Sequence, residues 1–305
     1  MKGYVLLDAG GTEIKSAAFS DSGKRLAFIH SAPSYAWADK ETILGNLLAV
    51  IAREKEVLTA NGYDLGSVGL AFPGPFDYQQ GISHIRGLAK YDAIEGLALE
   101  NALKNFPDQT VLPPEVRFFF RHDVDSFALG IPSREPSCAD GRTMCLCIGT
   151  GAGSAFLDAG QLLKHDPGIP DNGWIYPYPL RGLTIDDWIS VRGLERLACE
   201  SGFPPGTSGK DLSDLAAQGN RQAAAVWEIF GIVIADALQP FLTSFRPHWL
   251  ILGGQISKAE RFFGNEIRNR YPELSIRVIS DTTECILEGL LVSGRAAGLV
   301  HDPEK

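Results

Sequence analysis

Two glycine-containing segments of the sequence have the composition of phosphate-binding turns. In the first, an apolar run ends at Asp8, and Gly10, Gly11, Thr12 and Lys15 follow. Glycine lets the backbone approach an anion and turn its N–H groups towards it. An aspartate is a hard oxygen ligand of the kind that Mg²⁺ takes, directly or through water. By itself, this segment is equally compatible with a hairpin in which Asp8 caps a turn.

The second segment repeats the pattern of the first. The apolar residues 144–148 run into Gly149, Thr150, Gly151 and Gly153, and the chain continues as S-A-F-L and a D-A-G turn. After its own glycines, the first segment continues as S-A-A-F and a D-S-G turn. A strand, a glycine turn, a second strand and a D-x-G turn thus occur twice. This internal repeat predicts two similar α/β domains that each direct a glycine-rich hairpin at a shared cleft.

Three further turns follow apolar strands: residues 73–77, His122 with Asp123, and Gly253 with Gly254. In open α/β sheets, ligands bind at the carboxyl ends of strands. A single turn of this kind is more often structural, but five of them favour a site for a nucleotide and a small molecule. Asp123 could act as the base that accepts a hydroxyl proton during phosphoryl transfer. Taken alone, it is more typical of the N-cap of a helix over residues 124–129, and it could serve both roles.

Strands and helices alternate along the rest of the chain. Strands are predicted at residues 4–8, 14–19, 25–30, 67–72, 116–120, 144–148, 249–252 and 276–279. Helices are predicted from Asp39 to Gly62 and over residues 184–200, 220–245, 256–271 and 284–300. We predict an N-terminal α/β domain over residues 1–120 and a C-terminal α/β domain over residues 121–305. A closing helix at about residues 285–305 could pack back on the first domain.

The composition narrows the classes of partner. The chain has 305 residues and a net charge of −9. An acidic chain argues against nucleic acid or an anionic membrane as the main partner, because both reward a basic face. We expect a cytoplasmic protein, because no signal peptide is recognisable and no apolar run approaches the roughly 20 residues of a membrane span. Five cysteines, an odd number, favour reduced thiols.

Five motifs together resemble the ROK family in order and spacing. They are D-A-G-G-T-E-I-K (8–15), A-F-P-G-P-F-D (71–77), H-D-V-D-S-F-A-L-G (122–130), I-G-T-G-A-G-S-A-F (148–156) and I-L-G-G-Q-I-S (251–257). ROK sugar kinases belong to the actin/hexokinase/Hsp70 superfamily. The resemblance therefore implies two ribonuclease H-like domains around a cleft, as in actin-like ATPases. It also implies ATP-dependent phosphorylation of a hydroxyl of a hexose or an amino sugar, with Mg²⁺.

The resemblance also implies roles for individual residues. Those that match the phosphate, metal and adenosine motifs are Asp8, Gly10, Gly11, Thr12, Lys15, Gly149, Thr150, Gly151, Gly153, Gly253 and Gly254. Among them, Asp8 is the expected Mg²⁺ ligand. Asp123 matches the catalytic base of the family. Those that fall at the sugar end are Gly74, His122, Trp174 and Asp186.

The sugar end departs from the family pattern. Trp174 stands where a G-E-x-G-H motif has its glutamate, and Asp171 or Asn172 could take over the role of that glutamate. His122 replaces an asparagine of the family, whereas Asp186 is a counterpart of a sugar-contacting acid. The zinc motif C-x-C-G-x-x-G-C-x-E is missing from the sequence, so we predict no structural zinc. A changed set of polar groups indicates a changed substrate. Trp174 could stack on a sugar face or simply pack, and His122 could bond a sugar hydroxyl or the backbone.

Two functions other than sugar phosphorylation are compatible with these motifs. A non-catalytic sensor of nucleotide or sugar with the same fold is the main alternative to a kinase. ROK transcriptional regulators carry a basic helix-turn-helix domain ahead of the first motif, and the position of Asp8 leaves no room for one. The resemblance further suggests a homodimer.

Overall fold

The computed structural model describes residues 1–107 and 109–301. The strands are β1 (Lys2–Ala9), β2 (Glu13–Phe19), β3 (His30–Pro33), β4 (Asp64–Phe72), β5 (Phe76–Asp77), β6 (Ile82–Ser83), β7 (Arg117–His122), β8 (Thr143–Ile148), β9 (Ala152–Asp158), β10 (Gln161–Leu163), β11 (Pro179–Leu180), β12 (Leu183–Thr184), β13 (Trp249–Gly253) and β14 (Ser275–Val278). The α-helices are α1 (Lys40–Ala60), α2 (Leu99–Lys104), α3 (Asp123–Arg134), α4 (Ile185–Trp188), α5 (Val191–Glu200), α6 (Gly209–Ala217), α7 (Arg221–Phe245), α8 (Glu260–Arg270) and α9 (Thr282–Ala296).

The chain forms two compact units. The first comprises Met1–Gly130 and the chain from Thr283 onward, and the second comprises Ile131–Thr282. The sequence placed the division at residue 120, whereas the units divide after Gly130. The reason is close packing of α3 on α9 within the first unit. A Cβ on Gly130 would lie 2.0 Å from the carbonyl oxygen of Cys285, and one on Gly289 would lie 1.8 Å from that of Ser126.

The first unit contains a five-stranded sheet in the order β3-β2-β1-β4-β7. Strands β1, β2 and β3 pair antiparallel, and β4 and β7 extend the sheet in parallel with β1. The register aligns Asp8 with Ala71 and Phe72 with His122. Because the parallel strands end at one edge of the sheet, this edge carries three of the five predicted turns.

The third strand differs from its prediction. It occupies His30–Pro33 rather than residues 25–30. Arg25 makes only an isolated bridge with Phe19, and Phe28 is 88% exposed. The amide of Leu26 still donates to Ala18. The chain after the D-S-G turn therefore leaves the ladder and rejoins it five residues later.

Helix α1 begins as its sequence predicts. The Asp39 carboxylate accepts the amide of Thr42, as an N-cap does. The helix ends at Ala60, and Gly62 adopts a φ of +79°, which favours glycine. Its buried face, which includes Ile43, Leu47 and Ile51, packs in the core of the unit.

The second unit repeats the strand arrangement of the first. Its sheet has the order β10-β9-β8-β13-β14, with β10, β9 and β8 antiparallel and β13 and β14 parallel to β8. The internal repeat read from the two glycine turns thus corresponds to two sheets of the same topology. Helix α7 is the buried centre of this unit: it is long and apolar enough to span a membrane, but 61% of its most apolar window is buried in the core.

Two helices of the second unit differ from their predictions. The predicted helix over residues 184–200 is broken after Trp188, because the Ser190 side chain caps a new helix by accepting the amide of Gly193. The predicted helix over residues 256–271 begins with a 3₁₀ turn, Ile256–Ala259, before α8. Helix α6 was not predicted.

Candidate functional site

The first glycine turn lines a pocket in the first unit. The turn connects β1 to β2, and the pocket has a volume of about 310 Å³. Its lining residues are Asp8, Gly10, Gly11, Thr12, Glu13 and Lys15. Five of these six residues are predicted phosphate or metal residues, so the structure brings this predicted set together.

Side chains from distant parts of the chain fix the shape of this turn. The Tyr91 hydroxyl donates to the carbonyl of Gly10 at 2.9 Å, and the Ser34 hydroxyl donates to that of Gly11 at 2.8 Å. Tyr91 is fully buried, and burial raises its pKa, so the hydroxyl keeps its proton and remains a donor. Sequence reasoning missed both residues, because nothing local in the sequence links them to the turn.

The position of Asp8 suits a metal ligand. It is half-buried at the end of β1, and its Oδ2 accepts the Thr283 hydroxyl at 3.1 Å. A carboxylate at the rim of an anion pocket is a hard donor that suits Mg²⁺. Among the described residues, no group of three or more His, Cys, Asp and Glu side chains could hold a metal. These donors fit an ion that takes most of its ligands from phosphate and water.

The proposed base lies at the same edge of the first sheet. Asp123 is the first residue of α3, its Oδ1 accepts the amide of Val124 at 2.8 Å, and 38% of its side chain is exposed. The His122 Nε2 lies 3.4 Å from the same Oδ1. A Cβ on Gly74 would lie 3.8 Å from the His122 ring. The structure therefore gathers Gly74, His122 and Asp123.

Tyr78 completes this group and was missed by sequence reasoning. Its ring packs edge-on against His122 with centroids 5.9 Å apart, and its hydroxyl donates to the carbonyl of Phe72 at 3.0 Å. A Cβ on Gly74 would approach the Tyr78 hydroxyl to 3.3 Å. The position of Tyr78, four residues after Gly74, is the only local signal for its role.

The second glycine turn lies at the tip of the β8–β9 hairpin in the second unit. The amide of Gly149 donates to the carbonyl of Gly151 at 3.0 Å, Thr150 is exposed at the tip, and Gly153 lies within β9. Gly254 has a φ of +86°, and a Cβ there would lie 2.3 Å from the carbonyl oxygen of Ile148. The turn after Gly253, the last residue of β13, therefore packs directly on this hairpin.

Asp186 also lies against the hairpin. Its Oδ1 accepts the amide of Ala152 at 2.8 Å, and its Oδ2 lies 2.6 Å from the Arg192 guanidinium. Sequence reasoning placed Asp186 at the sugar end and did not single out Arg192. The structure places both beside predicted phosphate residues.

Trp174 lies in a segment tied to β9. The Ser154 hydroxyl donates to the carbonyl of Gly173 at 2.7 Å and accepts the amide of Ile175 at 3.0 Å. Trp174 is half-buried, with its ring 5.9 Å from that of the exposed Tyr176. These contacts fix the main chain on both sides of Trp174.

A pocket of the second unit opens beside Gln255, which directly follows Gly253 and Gly254. Its volume is about 510 Å³, and residues from α5 to α8 line it. Those that define its walls are Glu195, Lys210, Trp227, Ile256, Ala259 and Phe262. A mainly apolar pocket with a few charged groups suits a planar heterocycle such as a purine. Helix α6, which supplies part of the wall, could have been found from the capping box that Ser208 and Asp211 form.

Comparisons with known proteins agree with this arrangement. A model of the ROK family matches residues 4–290. An N-acetyl-D-glucosamine kinase of Haemophilus influenzae is 25% identical, over 85% of this chain and 86% of its own. A ROK family glucokinase of Streptomyces griseus, solved with glucose and AMPPNP, has a TM-score of 0.72 and 17% identity, over 96% of this chain and 99% of its own. A ROK family transcriptional regulator, a homologue of the E. coli MLC protein, has a TM-score of 0.75 and 16% identity, over 98% of this chain and 81% of its own.

The comparisons confirm two of the predictions. The family resemblance is confirmed by the match over nearly the whole chain. The fold class is confirmed by the two five-stranded sheets and by the likeness to solved ROK structures. The predicted enzyme class agrees with the kinase names of the relatives. The roles of individual residues, Mg²⁺, the homodimer and the cytoplasmic location stay predictions.

Proposed function

The chain belongs to the ROK family, and from this premise we propose that it is a kinase that transfers the γ-phosphoryl group of ATP to a hydroxyl of a hexose or an amino sugar. One observation carries the proposal. The register of β1, β4 and β7 brings Asp8, the turn at residues 73–77 and Asp123 to one edge of the first sheet. An anion pocket and a carboxylate base are the two parts that phosphoryl transfer to an alcohol needs most.

Each residue of this edge has a part in the proposed reaction. The glycine amides and Lys15 would hold phosphate oxygens, and Asp8 would hold Mg²⁺, directly or through water. Bound Mg²⁺ neutralises charge on the transferred phosphoryl group. Asp123 accepts the proton of the attacking hydroxyl, which raises the nucleophilicity of the oxygen. The hydrogen bond from Val124 holds one oxygen of this carboxylate in place.

We propose that the second unit also carries nucleotide-binding residues. We assign the hairpin residues Gly149, Thr150, Gly151 and Gly153 to the phosphates. We assign Gly253, Gly254 and the neighbouring pocket of about 510 Å³ to the adenosine. The volume of this pocket and its apolar wall support the assignment, because the flat faces of an adenine ring stack well on apolar side chains.

The residues assigned to the sugar differ from the usual family pattern, which favours a substrate other than the usual sugars of the family. We propose that Gly74, His122 and Trp174 contact the sugar. Replacement of a glutamate by Trp174 removes an acceptor for sugar hydroxyls and offers an aromatic face instead. A site that lacks an acceptor loses its preference for the hydroxyl that the acceptor would bind.

A phosphorylation screen tests the proposal. The purified chain is incubated with ATP and Mg²⁺ and a panel of hexoses, N-acetylated amino sugars and their C2 and C4 epimers, and ADP release and sugar phosphate are both measured. We expect turnover of at least one sugar, with ADP and sugar phosphate formed in equal amounts. ADP release without a sugar phosphate would indicate only hydrolysis, and no turnover across the panel would refute the kinase.

A non-catalytic sensor is the second candidate, and Trp174 in place of the glutamate is the observation that favours it. It predicts binding of ATP or a sugar in calorimetry without any product in the screen. A regulator of the kind seen among the structural neighbours would instead bind DNA in a salt-dependent manner. The acidic net charge of −9 does not favour that outcome.

A further inference from the structure

One short segment of the second unit contacts three main-chain groups at the tip of the β8–β9 hairpin. The segment runs from Asp186 in α4 to Arg192 in α5. The three hydrogen bonds are Ala152 N–H to Asp186 Oδ1 at 2.8 Å, Val191 N–H to the Gly149 carbonyl at 2.9 Å, and Arg192 Nη1 to the Thr150 carbonyl at 3.2 Å. Every residue of the tip except Gly151 is therefore bonded to this segment.

The carbonyl of Gly151 accepts the amide of Gly149 within the hairpin, and Gly151 meets the segment by close contact. A Cβ at this position would lie 2.6 Å from Asp186 Oδ1. The other oxygen of the carboxylate, Oδ2, pairs with Arg192 at 2.6 Å, and this pair is charge-assisted. Both oxygens of Asp186 are thus committed to the hairpin and to Arg192.

The corner between α4 and α5 keeps the two charged side chains at a fixed spacing. Ser190 is fully buried and caps α5 by accepting the amide of Gly193. A Cβ on Gly193 would lie 1.9 Å from the carbonyl oxygen of Trp188, so the two helices meet with their backbones in contact. A corner packed this closely cannot adjust its angle without breaking the cap.

We propose that Asp186 and Arg192 are positioning residues of the phosphate hairpin and that Asp186 does not contact the sugar. The inference rests on the proposed function, in which the hairpin binds the phosphates of ATP. Asp186 orients the amide of Ala152, and Arg192 fixes the Thr150 carbonyl. Arg192 also neutralises the charge of Asp186, which would otherwise repel phosphate close to the hairpin.

Measuring nucleotide affinity and sugar affinity in the same variants distinguishes a residue that positions the hairpin from one that contacts the sugar. We would compare Asp186→Ala, Asp186→Asn and Arg192→Ala with the wild-type chain, using a fluorescent ATP analogue for the dissociation constant. Loss of a charge-assisted hydrogen bond should weaken nucleotide binding by on the order of tenfold in the two alanine variants. Asp186→Asn keeps an acceptor for Ala152 and should lose less. For the sugar identified in the screen, KM at saturating ATP should stay within about twofold.

Asp187→Asn is the matched control, because it removes the neighbouring carboxylate, which caps α4 through Thr184. It should leave the nucleotide dissociation constant unchanged. A KM for the sugar that rises in Asp186→Ala while nucleotide affinity is unchanged would overturn the proposal.

Hydrogen exchange tests whether Asp186 and Arg192 brace the hairpin, that is, whether they hold its main chain in place. The measurement needs no ligand, so a failure of this brace can be told apart from a failure of the proposed function. In Asp186→Ala, amides in a peptide over residues 149–153 should exchange faster than in the wild type, whether or not the chain binds ATP. Unchanged protection of this peptide would refute the brace. If protection falls but the wild-type chain binds no ATP analogue, the brace holds and the proposed function fails.

Discussion

Replacing Asp123 by asparagine tests the proposed base with little change to the fold. Asparagine has the same size, and its carbonyl oxygen can still accept the amide of Val124, so the 2.8 Å contact is kept. The change removes only the ability to take up a proton and the negative charge at the start of α3. The charge interacts with the helix dipole by about 0.3–1 kcal/mol at an exposed position.

The expected effects on rate and stability differ widely. A positioned general base contributes about 10²–10⁴-fold to a rate, which corresponds to roughly 3–5 kcal/mol of activation free energy. Because 38% of the side chain is exposed, the stability change should stay at or below about 1 kcal/mol, or a few degrees in Tm. The dissociation constant of the ATP analogue should be unchanged.

The assay combines a coupled ADP measurement, nucleotide titration and thermal melting. Asp21→Asn is the matched control, because the Asp21 carboxylate also accepts the amide of the following residue, at 2.8 Å, in the turn after β2. This control should retain wild-type kcat. If kcat of Asp123→Asn falls less than about threefold, Asp123 is not the base, and a fall in kcat with equal loss of nucleotide affinity would indicate a structural effect.

Two further predictions concern stability. Gly254→Ala should lower the free energy of unfolding in urea by about 1–3 kcal/mol more than Gly219→Ala does. Both glycines have a φ near +85°, but only a Cβ at position 254 would clash, with the carbonyl oxygen of Ile148. Equal losses in the two variants would show that φ alone matters. Hydrogen bonds from Thr184 lower the pKa of Asp187 in the folded chain. The ionised carboxylate therefore stabilises the fold at pH values above its unfolded pKa of about 4, and this stabilisation is lost as the pH falls through the lower pKa of the folded chain. Thr184→Val should therefore flatten the acid side of the stability–pH curve, and an unchanged curve would contradict the assignment.

Local patterns in the sequence were sufficient for the elements whose signals are local. The apolar run before Asp8 predicted β1, and Asp39 predicted the start of α1. The two glycine turns predicted the repeated sheet topology. Five motifs were sufficient for the family, because their order is preserved over the whole chain.

The features that the sequence did not predict depend on contacts between residues far apart in the chain. Tyr91 bonds to Gly10 across 81 positions, and no spacing in the sequence reveals such a bond. The break after Trp188 depends on the buried Ser190, which caps α5. From the sequence alone, a serine at this position is equally compatible with the interior of a continuous helix. Arg192 escaped notice because an arginine on an exposed helix is ordinary until its partner at the hairpin is known.

The packing of α3 on α9 has a consequence for synthesis of the chain on the ribosome. The first unit needs α9, which lies after the whole of the second unit in sequence. The glycine contacts at Gly130 and Gly289 can form only when the last helix has left the exit tunnel. The helix that begins with Asp123 therefore gains its packing partner last, although it is translated before the middle of the chain. The unit that carries the proposed base can therefore complete its packing only after the whole second unit has been translated.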